Sequence, residues 1–163
     1  MIDLESAARA FKLTSPDFQD NGPLPARSAY DKAGCHGQNV APRLVWENIP
    51  TGTQSFALLM NDIDAPVAGG FHHWVVYNIP AQVRALEGNA PFEQGTTSMN
   101  THAYFGPCPP PTGQPHHYLF TLYALKIDHL QEKGLTYEGL IQAMEGQVLA
   151  AATLIGLFQR APE

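Results

Sequence analysis

The stretch SFALLMNDIDAPVAGGFHHWVVYNI, residues 55–79, decides how this chain folds. Ser55–Asn61 is a continuous apolar run of strand length, and His73–Ile79 is a second. Neither alternates apolar with polar, so both are expected to be strands covered on both faces. Asp62–Gly70 between them carries Pro66, Gly69 and Gly70 and must turn. A third run of the same kind, YLFTLYAL at Tyr118–Leu125, follows a loop, GPCPPPTGQP at Gly106–Pro115. Its five prolines and two glycines exclude helix and central strand.

Outward from these runs, Phe11–Ser15 and Leu44–Glu47 read as short strands, and residues 1–10 as a short helical lead. Pro16–Pro42 reads as an irregular surface stretch and residues 81–101 as a long surface loop, both being rich in turn residues. Near the end, Thr136 can cap a helix with Glu138 in its first turn. Tyr137, Leu140, Ile141, Met144 and Val148 recur at helical spacing, and Thr153–Phe158 reads as a closing strand. With no repeat and no linker, one domain over residues 1–163 is expected. A doubly wound α/β fold is excluded, because no helices separate the apolar runs.

The 163 residues include 14 Gly and 14 Pro, and only 15% are charged, against about a quarter in an ordinary domain. The net charge of −6 excludes a nucleic-acid backbone as partner, since Arg84 is the only Lys or Arg between Arg43 and Lys126. No segment is long and apolar enough to span a membrane, and no leader is visible, so a cytoplasmic protein is expected. Cys35 and Cys108 show neither metal-knuckle nor redox spacing and are expected to be reduced.

Five of the seven histidines lie between His72 and His117. His72 and His73 open one buried strand, His116 and His117 another, and each pair follows a Gly/Pro loop. Neighbours on a strand point to opposite faces, so at most one histidine of each pair is expected to face a shared pocket and the other a loop or solvent. Asp62 and Asp64, two apart, share a face if the chain there is extended. Two imidazole N–H groups with a glycine-loop backbone suit an anion such as phosphate, with Asp62 orienting a histidine. Zinc is the rival, though no HExxH-like spacing supports it, and no cofactor is implied. A Cys108–His116 pair is conceivable as a nucleophile and base, but Cys108 fits better as a small loop filler. Trp46, Trp74, Phe120 and Tyr123 are expected in the core. Tyr104 and Tyr118 flank the proline loop and can present hydroxyls or ring edges to a ligand.

NDIDAP (Asn61–Pro66), HHWVVYNIP (His72–Pro80) and YFGPCPPPTGQPHHYLFTLYAL (Tyr104–Leu125) resemble the phosphatidylethanolamine-binding protein family, in its bacterial, Raf kinase inhibitor-like branch. The resemblance runs from Phe11 to Arg160. It implies a mostly β fold: a central antiparallel sheet packed with a smaller second sheet and a few flanking helices. It also implies a small-anion or phosphorylated head-group pocket in a non-enzymatic protein, with Asp62, Asp64, His73, His116 and Tyr118 in the pocket. The loop Gly106–Pro110, including Cys108 and Pro109, would face the anion, and Phe71 and Tyr104 would form walls. Some relatives inhibit kinases or proteases, and bacterial relatives are often homodimers, so a protein target and a homodimer are expected by analogy. A hydrolase using His73 or His116 with Asp62, and a scaffold with a vestigial pocket, are the competing readings. The chain departs from the family pattern at Ile63, where proline is usual, at Phe71, where tryptophan is common, and at Cys108, where some members have glycine. Loss of the proline ring is expected to loosen the turn that aims Asp62.

Overall fold

The computed structural model describes residues 10–88 and 91–162. The helical lead expected over residues 1–10 lies, apart from Ala10, outside the described residues. The order is β1 (Lys12–Thr14), β2 (Gly22–Pro23), a 3₁₀ turn (Ala26–Ser28), β3 (Leu44–Glu47), β4 (Ser55–Asp62), β5 (Phe71–Pro80), β6 (Ala85–Leu86), β7 (Glu93–Gln94), β8 (His116–Leu125), α1 (Tyr137–Met144) and β9 (Val148–Phe158). The larger sheet runs β2-β9-β8-β4-β5-β7 and the smaller β1-β3-β6. All pairs are antiparallel except the short β2–β9 contact. This is the mostly β, two-sheet architecture expected, with one α-helix and one 3₁₀ turn among the described residues.

The three apolar runs form the centre of the larger sheet, β8-β4-β5, because each needs cover on both faces. Phe56, Leu58 and Met60 of β4 and Phe120 and Leu122 of β8 face the smaller sheet, where Leu13, Leu44 and Trp46 meet them. Ala57 and Leu59 of β4 and Val75 and Tyr77 of β5 face Leu140 and Met144 of α1. Trp46, Trp74 and Phe120 are buried in the first layer, and Tyr123 packs on the second. Thr136 caps α1 as expected, its Oγ1 accepting from Gly139 N at 3.1 Å. The helix ends at Met144, and Gly146, at φ 77°, turns the chain so that Val148 begins β9 instead of continuing the helix.

Two expectations need correction. Residues 81–101 are not simply a surface loop: β6 and β7 lie within them, and Leu86 and Thr97 are buried. Pro16–Pro42 is irregular, but Phe18, Leu24, Ser28 and Ala29 in it are buried. Hydrogen bonds to defined partners replace regular structure there. Asp17 binds Arg43 (2.7 Å) and Arg27 (3.1 Å), and Arg43 holds its carboxyl below the usual carboxylate range. Asn39, at φ 56°, accepts from Gly106 N at 2.7 Å and donates to Tyr104 O at 3.2 Å. The Tyr104 hydroxyl donates to Ser28 O at 2.8 Å, and Tyr30 N donates to Pro107 O at 3.0 Å. Residues 28–39 are thereby strapped to residues 104–107.

The strap depends on Gly106, where a Cβ would lie 2.4 Å from Ser28 O, with backbone on its other sides. Gly106→Ala should therefore destabilise the fold by about 1–3 kcal/mol, read as a lower urea midpoint. An unchanged midpoint would show that the two loops are not in this contact.

Candidate functional site

β4 is antiparallel to both of its neighbours, so its end lies beside their beginnings. Asp62, the last residue of β4, stands opposite Phe71 of β5 and Tyr118 of β8. Even-numbered side chains of β4 and β8 face the first core layer, and that row ends in Asp62 on one strand and in Tyr118 and His116 on the other. β5 reaches the same place differently. Its register to β4 slips between Met60, opposite Trp74, and Asn61, opposite His72, which leaves His73 as an extra, unpaired residue. Regular alternation would put His73 with Val75 and Tyr77, against the helix. The bulge turns it to the other face, where its ring meets Tyr118 at 5.2 Å and Phe71 at 4.6 Å. His72 goes to the helix face, stacks on Tyr137 at 4.0 Å and bonds Asn61 Oδ1 at 2.7 Å.

The result is a cavity of about 510 Å³. Asp62, Phe71, His73, Cys108, Pro109, His116 and Tyr118 line it, together with Tyr30, Lys32, Met99 and Phe105, which sequence reasoning missed. Tyr30 stacks on Phe105 at 4.2 Å, and Lys32 is the only Lys or Arg among the described residues of the lining. Both come from the stretch expected to be a plain surface loop. An aromatic and a lysine in a turn-rich segment carry no periodic signal that would have placed them.

Three expected site residues stand elsewhere. Tyr104 is buried behind the wall, edge-on to Trp74, with its hydroxyl committed to Ser28. Gly106 serves the loop crossing. Asp64 accepts from His117 N at 2.6 Å and pairs with His117 Nδ1 at 2.7 Å outside the cavity. Asp62 and Asp64 do not share a face, because Asp64 N donates back to Asp62 Oδ1 at 2.9 Å and makes a turn. At Ile63 the free N–H donates to His117 O at 3.2 Å. The turn expected to be loose without a proline ring is tied to β8 by a bond that proline could not make.

The polar groups of the cavity are specifically engaged. His116 Nδ1 bonds Asp62 Oδ2 at 2.6 Å, and both residues are nearly enclosed. His73 Nδ1 bonds Phe105 O at 2.5 Å, which accepts only, so Nδ1 carries the proton. Burial pushes His73 down to about 4, so the ring is neutral and its Nε2 is an acceptor, not the N–H donor expected. Burial, with Asp62 beside it, raises the Tyr118 phenol well above its ordinary value. The hydroxyl is fully buried beside the Asp62 carboxylate. Among the described residues no three His, Cys, Asp or Glu side chains cluster as a metal site.

The reduced cysteines expected from the sequence are instead joined as a Cys35–Cys108 disulfide. The loop crossing brings together two residues 73 apart in sequence, with Cα atoms 5.6 Å apart. This removes Cys108 as a nucleophile for His116 and makes the bridge part of the cavity rim.

A family model described as phosphatidylethanolamine-binding protein matches residues 14–159. The chain belongs to the phosphatidylethanolamine-binding protein family. It is 40% identical over 156 residues to a UPF0098 protein of Methanothermobacter thermautotrophicus, covering 91% of this chain and 98% of the relative. The crystal structure of YbcL from Escherichia coli, described as a new member of the mammalian family, superposes with a TM-score of 0.86 at 29% identity, covering 92% of this chain and 98% of that one. A family homologue from Chlamydia trachomatis gives 0.83 at 32% identity, covering 93% and 98%.

Two measurements check the site's construction. Closing a loop of this length restricts the unfolded chain, so Cys108→Ser should cost about 2–4 kcal/mol of stability, with the same loss on reducing the native protein. The second concerns His73, whose folded pKa lies below its ordinary 6.5. The unfolded ring takes up a proton that the folded ring refuses, so this term lowers stability as pH falls from 6.5 towards 4. It is absent above that window. The slope approaches about 1.4 kcal/mol per pH unit, and unfolding curves of His73→Gln should lack it.

Proposed function

We propose that this chain is a non-enzymatic binding protein whose cavity takes a small anion or phosphorylated head group. The observation that carries the reading is the polar end of the cavity, where the Asp62–His116 pair, bonded at 2.6 Å, stands with His73 and the buried Tyr118 phenol among aromatic rings. His116 stands in the same wall, oriented by Asp62, and donates from Nε2 when its ring is protonated. Lys32 at the mouth adds the positive charge that an anion needs on entry. Membership of a family named for binding a phospholipid head group agrees with this chemistry.

The His116–Asp62 pair also has the form of a general base with its orienting carboxylate, which favours a hydrolase as the second reading. The disulfide removes the cysteine nucleophile from that reading, and no serine is among the described residues that line the cavity. The bridge also supports residence in an oxidising compartment rather than in the cytoplasm. Inhibition of a kinase or protease stands on fold analogy alone.

Calorimetric titration with phosphate, acetate and phosphoethanolamine should detect saturable binding of at least one of them. His116→Ala should weaken it about tenfold or more, the loss of one charge-assisted hydrogen bond. Absence of binding by all three, or binding indifferent to His116→Ala, would remove this reading.

A further inference from the structure

On the other face of the larger sheet, α1 carries more apolar surface than the strands beneath it use. Leu140 and Met144 are buried against Ala57, Leu59, Val75 and Tyr77 of β4 and β5. Tyr137 and Ile141 continue the same stripe, yet Tyr137 is only partly covered and Ile141 is 38% exposed. The helix leaves β8 and β9 open beside it. Ala151 and Thr153 of β9, opposite Tyr123 and Thr121 of β8, are exposed, and Val148 is 44% exposed. Between helix and strands runs a groove of about 570 Å³, larger than the cavity at the strand ends. Tyr123, Tyr137, Ile141, Met144 and Val148 make its apolar wall.

The edge of this groove has one sign of charge. Glu138 and Glu145 border it, and no Lys, Arg or His is among the described residues that line it. The two glutamates are seven residues apart, two helical turns or about 10.5 Å along the axis, so they share the outer flank of α1 with Ile141 between them. Glu138 Oε1 stands 3.8 Å from His72 Nε2, but burial lowers His72 below its ordinary value, so near neutral pH the ring brings no full positive charge. A second cavity of about 440 Å³ shares Tyr137 and Glu138 and prolongs the groove past the start of α1 to Val67, itself 55% exposed.

We propose that the groove between α1 and β8–β9 is a docking surface for a basic amphipathic helix of a partner protein, its apolar seam lying on Tyr123, Ile141 and Val148 and its Lys or Arg residues meeting Glu138 and Glu145. A helix is the occupant that matches the spacing. Laid along α1, it repeats its side chains every seven residues, as the two glutamates do, and its seam recurs at the i, i+4, i+7 interval of Tyr137, Ile141 and Met144. Charge complementarity makes it basic, and the net charge of −6 adds attraction at longer range. The surface is independent of the anion-pocket reading, since it lies on the opposite face of the sheet and shares none of that cavity's histidines.

The probe is a blocked peptide of about fifteen residues, Ala and Gln with a Leu seam at i, i+4, i+7 and i+11 and two Lys seven residues apart beside that seam. Its twin carries Glu in place of both Lys. Titrated into the ¹⁵N-labelled protein, the Lys peptide should shift the amides of Tyr123, of residues 137–146 and of Val148 while His73 and His116 stay in place. It should bind at least tenfold more tightly than the twin. Raised salt should bring that ratio towards one on the unaltered protein, because these exposed charges are screened. Glu138→Gln combined with Glu145→Gln should do the same, and Ile141→Ser should weaken the Lys peptide about tenfold. Absence of saturable shifts, shifts mapping elsewhere, equal affinity for the twins, or a preference that survives loss of both carboxylates overturns the proposal. Sedimentation showing self-association that Ile141→Ser abolishes also overturns it, since a second copy is then the occupant.

Discussion

One extra residue in β5, opposite the junction of Met60 and Asn61, is the constraint on which the site depends. Side-chain direction alternates along a strand, so inserting a residue exchanges the faces of everything on one side of it. Without that slip, His72 would face Tyr118 and His73 would pack under α1. With it, Phe71 and His73 join Asp62, His116 and Tyr118 on one face, and His72 closes the other by stacking on Tyr137. The slip falls two residues before the end of β4, so the strand's apolar interior keeps its two core layers and only its polar end is rearranged.

Burial then determines what those polar groups can be. Asp62, His73 and His116 are each at most 9% exposed, and buried polar groups are tolerated only when satisfied. Asp62 is satisfied on both oxygens, and each histidine is satisfied at Nδ1. The strap between residues 28–39 and 104–107 supplies one of these partners, Phe105 O, and encloses the space. The irregular loops are therefore as much part of the site as the strands. Facing the proposed ligand, the histidine atoms that these bonds do not engage are the two Nε2 atoms.

The three central strands were legible because a run apolar on both faces has few other fates, and α1 was legible because Thr136 and the spacing of Leu140 and Met144 agree. Val148 matched the helical spacing by coincidence and was claimed by β9 after Gly146 turned the chain. β6 and β7, of two residues each, are too short to show a period. Alternation showed that one histidine of each pair would serve, but not which one. Both faces of β5 are buried, so no polarity marks the pocket side, and a bulge leaves no trace in the residue types. The family resemblance made that choice. The disulfide and the roles of Tyr30, Lys32 and Asn39 arise from a crossing of two loops about 70 residues apart, which local sequence does not encode.

Ile63 shows how a departure from the family pattern can be absorbed locally. Where proline is usual, a ring would restrict the turn after Asp62 by fixing φ. Here the backbone N–H of Ile63 reaches His117 O, while Asp64 receives His117 N and its imidazole. The side chain of Ile63 is 57% exposed and contributes little packing, so the backbone is what matters at this position. These bonds join the turn after β4 to the first residues of β8, the same two segments that the Asp62–His116 pair joins inside the cavity. The outer Asp64–His117 pair and the inner Asp62–His116 pair therefore join the same two segments, the turn after Asp62 sending Asp64 to solvent while Asp62 faces the cavity. Orientation of the buried carboxylate then comes from pairing between strands rather than from the stiffness of a single ring. A site held in this way keeps its geometry so long as the β4–β8 register is kept.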